Sequence, residues 1–195
     1  MQKIKSWNDV TIADFIQISQ ILKIEDEIWR VAELIKYIND INNELTIEQF
    51  NKLRQSVSFM AEPINKKAKI EGVCSIGETK YVLSKDLSKL TVAQYIDYTN
   101  YSQNDNEYDK LSNIMSVLLI PEGHKYNDGY DIEKVKAEIE NNMSIVDCFS
   151  IGFFLQRQSL KYIRNFLQSS TKTMKMTKEQ RQQISILCRN MDYYR

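Results

Sequence analysis

Apolar residues recur at helical spacing through most of the chain. Ile12, Phe15, Ile16, Ile18, Ile21 and Leu22 predict a helix over 11–24. Ile28, Val31, Leu34, Ile35 and Ile38 mark one face of a second helix, over about 26–41. Phe50, Leu53, Val57 and Met60 mark the inward face of a third, from Thr46 until Pro63 stops it. The pattern then changes. Lys69-Ile70-Glu71-Gly72-Val73 and Lys80-Tyr81-Val82-Leu83 are β-compatible runs on either side of Gly77, which predicts a small hairpin. A lone hairpin is marginal in water, so this one has to pack on helices or pair with another strand. Helical spacing returns at Val92, Tyr95 and Ile96, then over 111–120 up to Pro121, over 132–139, from Ser144 to about 169, and over about 177–193. Residues 100–110 read as a polar connection, 122–131 as an ordered loop and 170–176 as a linker. The predicted fold class is mainly α, a multi-helix domain with one small β-hairpin insertion at about residues 68–84. Its expected parts are an N-terminal helical part (1–62), the hairpin insertion (63–90), a helical core part (91–170) and a C-terminal basic helix (171–195), forming one compact unit.

A short phrase marks the helix starts. It reads Val10-Thr11-Ile12-Ala13-Asp14-Phe15, Leu45-Thr46-Ile47-Glu48-Gln49-Phe50 and Leu90-Thr91-Val92-Ala93-Gln94-Tyr95. Looser copies stand at Met143-Ser144-Ile145-Val146-Asp147-Cys148 and Met176-Thr177-Lys178-Glu179-Gln180-Arg181. A hydroxyl residue followed three positions on by Asp, Glu or Gln is a capping box, and apolar residues flanking it supply the hydrophobic staple. The spacings between the first three copies are unequal and a hairpin lies between two of them. The phrase is therefore a reused helix start and not a solenoid repeat.

Composition supports helices: five Gly and two Pro in 195 residues leave few breaks. The net charge is zero but unevenly spread. Residues 157–195 hold nine Lys/Arg and two Asp/Glu, a net of +7, so residues 1–156 carry −7. This is either a solvated helix face or a surface for an acidic partner, another copy of the chain, or nucleic acid. Tyr162 and Phe166 lie within the basic region, where they read equally as core positions.

Catalytic and metal chemistry find little to work with. His124 is the only histidine and has no Ser or Cys near it in sequence. Asp128 and Asp131 flank Gly129 but lack the acid spacing and closing Glu of a calcium loop. Cys74, Cys148 and Cys188 are scattered and suggest neither a disulfide framework nor a metal site. No phosphate-binding glycine loop is present. The expectation is no enzyme, no catalytic residue, no cofactor and no metal. Nor is there a signal-peptide core behind Met1-Gln2-Lys3-Ile4-Lys5, and no apolar run reaches bilayer length.

The strongest apolar run is Ile145-Val146-Asp147-Cys148-Phe149-Ser150-Ile151-Gly152-Phe153-Phe154-Leu155. It is apolar almost all round, so it is either the central helix of the fold or partly covered by another chain. Gly152 costs about 1 kcal/mol against Ala in a helix, which suggests close helix contact there. The candidate interface residues are Phe149, Phe153, Phe154, Arg157, Lys161, Arg164, Lys172, Lys175, Lys178 and Arg181.

Together, Trp7, the three capping phrases, Tyr81, Leu119-Ile120-Pro121-Glu122-Gly123, Tyr130-Asp131 and the 146–155 run resemble morphogenesis proteins of tailed bacteriophages. The likeness is greatest to phages of Bacteroidetes hosts, crAss-like phages included, and it spans most of residues 7–167. It rests on apolar and capping residues and not on a chemical signature. It implies a non-enzymatic structural or assembly protein acting through protein–protein contacts, a virion component of the neck or tail region. The implied partners are other phage structural proteins and copies of itself in a ring, with no membrane; the implied location is the virion, or the host cytoplasm during assembly. The alternatives are a tail-assembly chaperone that leaves before the particle is complete, and a small DNA-binding or regulatory protein using residues 157–195.

Overall fold

The helices begin where the capping residues place them. In a computed structural model of the chain, which describes residues 4–65, 71–84, 86–103, 107–158 and Thr177 (107–109 as backbone only), α1 is Ile12–Ile21, α2 is Glu27–Asn39 and α3 is Ile47–Leu53. Thr11 and Asp14, and Thr46 and Gln49, form complete capping boxes, each partner bonding the other's backbone N–H. Asp26 caps α2 by accepting from the Trp29 N–H at 2.8 Å. The chain leaves α2 through Asp40 in the left-handed region, φ +54°, a conformation Asp tolerates better than most residues. The third helix is shorter than its apolar spacing predicts. It tightens after Leu53 into a 3-10 segment, Arg54–Ala61, which buries Phe59. The Trp7 and Phe59 rings pack edge to face with 5.4 Å between centroids, and the Trp7 indole N–H donates to the Glu62 carbonyl.

The hairpin is present but set later than the β-compatible runs suggest. Strands β1 (Val73–Ile76) and β2 (Thr79–Leu83) pair antiparallel with Cys74 opposite Tyr81. Gly77 takes φ +58° at the first central position of the two-residue loop, where a type II′ turn requires glycine. Lys69 and Ile70, assigned to the first strand from sequence, lie outside the described residues. Alternation sorts the strands' faces: Ile76, Tyr81 and Leu83 point into the core, while Val73 and Val82 are exposed.

Beyond the hairpin, α4 (Val92–Ser102) starts from a complete Thr91–Gln94 box. It runs further into the polar 100–110 stretch than expected, and α5 (Glu107–Leu118) begins before that stretch ends. The next element corrects the sequence expectation. The 111–120 stretch is not one helix: at Leu119 the chain becomes extended, and β3 (Leu119–Pro121) pairs with β2, Leu83 opposite Leu119 and Tyr81 opposite Pro121. The free edge of β2 offers unpaired backbone groups, and joining it satisfies them. Proline is tolerated there because β3 is an edge strand. The hairpin thus gains the further strand that an isolated hairpin needs.

The loop over 122–131 is ordered, as expected, with Lys125 bridged to Asp128 and positive φ at Gly123, Asn127 and Gly129. Helix α6 (Ile132–Asn142) follows, capped by Asp131. A final described helix, α7 over 145–158, starts from Ser144. Here two copies of the capping phrase meet. Thr11 and Ser144 form an antiparallel bridge in which the Ile145 N–H donates to the Val10 carbonyl at 2.8 Å and the Ile12 N–H to the Met143 carbonyl at 3.1 Å. The starts of α1 and α7 are therefore tied together. Val10, Ile12, Met143 and Ile145 around the bridge are all buried. One hydrophobic cluster runs from Val10 through Ile38, Tyr81, Leu118 and Ile139 to Leu155.

Candidate interaction surfaces

The 145–155 run lies in the interior. Ile145, Val146, Cys148, Ser150, Ile151 and Leu155 are buried, which places this helix at the centre of the described fold. Phe149 is half-buried, its ring edge-on to Phe15 of α1 at 5.5 Å between centroids. Phe154 packs half-buried against the core. Phe153 is half-buried with the Arg157 guanidinium 5.8 Å from its ring centroid, within cation–π range. Arg157 itself is exposed. Lys161, Arg164, Lys172, Lys175, Lys178 and Arg181 lie outside the described residues, as do the expected linker and all but Thr177 of the expected last helix. The expectation for Gly152 is corrected. It is exposed, and a Cβ built there meets nothing within 4 Å among the described residues, so no close helix contact there calls for glycine.

Ile28, read from its spacing as part of an apolar face, turns out to lie on a surface with Trp29 and Ile47, which the spacing did not single out. Ile28 and Trp29 of α2 are 73% and 51% exposed, and Ile47 of α3 is 83% exposed. Together with Phe50 they line a groove of about 370 Å³ between the two helices. Glu33, Lys36 and Glu44 also line it. The Lys36 ammonium lies 3.0 Å from Glu33 Oε1 and 4.0 Å from Glu44 Oε1. The hydrogen bond to Glu33 holds Lys36 charged to higher pH than usual. Sequence reasoning missed this groove because Ile28 and Phe50 sit at the spacing of a core stripe, and Ile47, the first residue of α3, carries no signal that it is exposed. A second exposed apolar set, Val92, Tyr95 and Ile96, lies on α4. Exposed apolar residues grouped in this way mark contact sites more often than residues scattered singly.

Polar links hold the frame behind these surfaces. The Tyr37 hydroxyl donates to Asp14 at 2.8 Å, joining α2 to the cap of α1. The Tyr126 hydroxyl donates to Asp97 at 2.7 Å, joining the 122–131 loop to α4. Buried Tyr81 donates to Glu138 Oε2 at 2.7 Å, and Thr79 donates to the same oxygen at 3.0 Å, joining β2 to α6. In all three tyrosines burial, followed by the carboxylate bond, pushes the hydroxyl pKa above its usual range. Gln94 serves its box and the tertiary fold at once: its amide N–H donates to the Val117 carbonyl of α5 at 3.1 Å, buried from water.

One cleft does collect chemically active residue types. About 280 Å³ in volume, it lies between β1 and the start of α7 and is lined by Glu71, Cys74, Ser75, Ser144 and Asp147 among others. Burial, then Asp147 and Glu71, push the Cys74 thiol up and favour its neutral form. A neutral thiol is a poor nucleophile. His124, the one imidazole, sits in the 122–131 loop with its ring 5.8 Å from that of Tyr130 and does not line the cleft. Burial pushes the Cys148 thiol up to about 12. No group of three or more His, Cys, Asp or Glu that could hold a metal ion occurs among the described residues. Among the same residues, no helix is long and apolar enough to cross a membrane.

No family model, curated protein or solved structure matches the chain.

Proposed function

We propose that the chain is a non-enzymatic structural or assembly protein of a tailed bacteriophage, a component of the neck or tail region of the virion that works through contacts with copies of itself and with other particle proteins. The observation that carries this reading is the exposed apolar surface: Ile28, Trp29 and Ile47 on the α2–α3 groove, and Val92, Tyr95 and Ile96 on α4. A head-to-tail ring needs two different surfaces on each subunit, and two separate exposed sets suit that geometry. The −7/+7 division of charge along the chain suits it too, because opposite patches steer and align partners. Both described thiols are held towards the neutral form and the one histidine stands apart from the Cys74 cleft, which favours binding over catalysis.

The test is mass spectrometry of purified particles, with sedimentation velocity of the isolated chain. The expected result is the chain present in particles at a fixed copy number and self-association in solution. Absence from particles that contain complete necks and tails overturns the virion role and leaves the assembly-chaperone role in its place.

A further inference from the structure

We propose that the α2–α3 groove receives residues 177–195 of a neighbouring copy of this chain, through the apolar and basic positions of that sequence. This rests on the reading that copies of the chain assemble. It goes further by naming both sides of the contact.

The groove sets the requirements for its occupant. Its apolar lining, Ile28, Trp29, Ile47 and Phe50, calls for a short row of apolar anchors. Its volume of about 370 Å³ is enough for a few side chains and too little for a folded domain. Its two helices and the segments that lead into them are acidic: residues 25–53 hold seven Asp/Glu against three Lys/Arg. Lys36, the one cation in the lining, is already engaged by Glu33 and Glu44. The occupant must therefore be apolar on one side and cationic beside it. An acidic surrounding repels nucleic acid and anionic lipid, which removes both as occupants.

Residues 177–195 meet these requirements. Ile184, Leu187, Cys188 and Met191 stand at i, i+3, i+4 and i+7, the anchor spacing by which a helix lies in an apolar groove. Lys178, Arg181 and Arg189 lie on the same stretch, within the 157–195 region that carries +7. The chain thus holds an acidic apolar groove near one end and a basic apolar stripe near the other. Linking the stripe of one copy to the groove of the next gives a head-to-tail contact, which closes into a ring when the rotation closes.

The experiment uses the full chain with benzoylphenylalanine replacing the exposed Ile47. Light and nitrogen-15-labelled preparations are mixed, irradiated and digested, and the adducts are mapped by mass spectrometry. The expected adducts lie within 177–195 and include light–heavy pairs. Their yield should fall as salt rises, because the surface charges are screened beyond about 10 Å at 0.1 M. Leu187→Asp should lower the yield about tenfold or more, since a carboxylate would be buried in an apolar lining. Adducts elsewhere in the chain, light–light and heavy–heavy pairs alone, or no adduct would each overturn the proposal. Sedimentation of the same samples separates the two levels. Assembly without these adducts removes only the groove contact, whereas a monomer at every concentration removes the self-assembly reading as well.

Discussion

The bond between Tyr81 and Glu138 can be measured as a free energy. Tyr81 is fully buried at the centre of β2, and its hydroxyl donates at 2.7 Å to Glu138 Oε2 on α6. Thr79 donates to the same oxygen at 3.0 Å, so this one carboxylate ties the sheet to the helix. A hydrogen bond to a charged group contributes about 1.5–3 kcal/mol, more than a neutral one, because low local dielectric strengthens it. Tyr81→Phe removes the donor and leaves Glu138 with Thr79, so about 2 kcal/mol should be lost. Glu138→Ala removes the acceptor of both bonds and leaves the Tyr81 hydroxyl buried without this partner, so the loss should be larger, about 3 kcal/mol. In the double variant the hydroxyl is gone, so its desolvation no longer counts against the fold. The double-mutant cycle should then give a coupling of about 1.5–2 kcal/mol. Urea unfolding followed by far-ultraviolet circular dichroism reads all four corners of the cycle. For a chain of this size Tyr81→Phe should also lower Tm by about 4–8 °C. A coupling below about 0.5 kcal/mol would refute the reasoning, because the two groups would then be solvated independently and the distance between them would carry no energy.

Two glycines should respond in opposite directions. Gly77→Ala places a Cβ 2.9 Å from Glu138 Oε1 at φ +58° and should cost about 1–3 kcal/mol, whereas Gly152→Ala meets nothing within 4 Å among the described residues and should stabilise by up to about 1 kcal/mol; equal losses in urea unfolding would contradict this. The same capping residue should differ in worth with burial. Gln49→Ala should cost about 0.5–1 kcal/mol, but Gln94→Ala also strips the buried Val117 carbonyl of its donor and should cost about 2–3 kcal/mol by the same assay. Alkali should unfold the protein through its tyrosines. Tyr37, Tyr81 and Tyr126 keep their protons above the usual range in the folded state, whereas in the unfolded chain they lose them near pH 10. Their stabilisation is therefore complete below about pH 10 and lost as pH rises above it, by about 1.4 kcal/mol per pH unit for each tyrosine. Tyr126→Phe should flatten the fall in stability between pH 9 and 11, and an unchanged slope would count against it. Phe154→Asp should lower Tm by at least about 4 °C, because the ring packs on the core, while Ile47→Asp should leave Tm nearly unchanged; the reverse order would place Phe154 at the surface.

Sequence by itself determined where the helices with a capping box begin. The boxes at Thr11, Thr46 and Thr91 form as read, because a capping box closes within four residues and needs nothing from the rest of the chain. The mainly helical class with a small β insertion was legible for the same reason: periodicity, scarce glycine and a local turn at Gly77 are short-range signals. Tertiary structure alone decided which apolar residues are core. Ile28, Val92 and Ile96 have the same helical spacing as Leu34 and Ile38, yet they are exposed, because burial depends on whether a neighbouring element covers that face. It also decided the third strand. Leu119 and Ile120 continue an apolar helical pattern, and only the unpaired edge of β2, distant in sequence, draws them into the sheet. The pairing of two capping phrases across Thr11 and Ser144 and the second bond of Gln94 belong to the same class. Each joins residues far apart in the chain, and their meeting follows from packing and not from any local pattern.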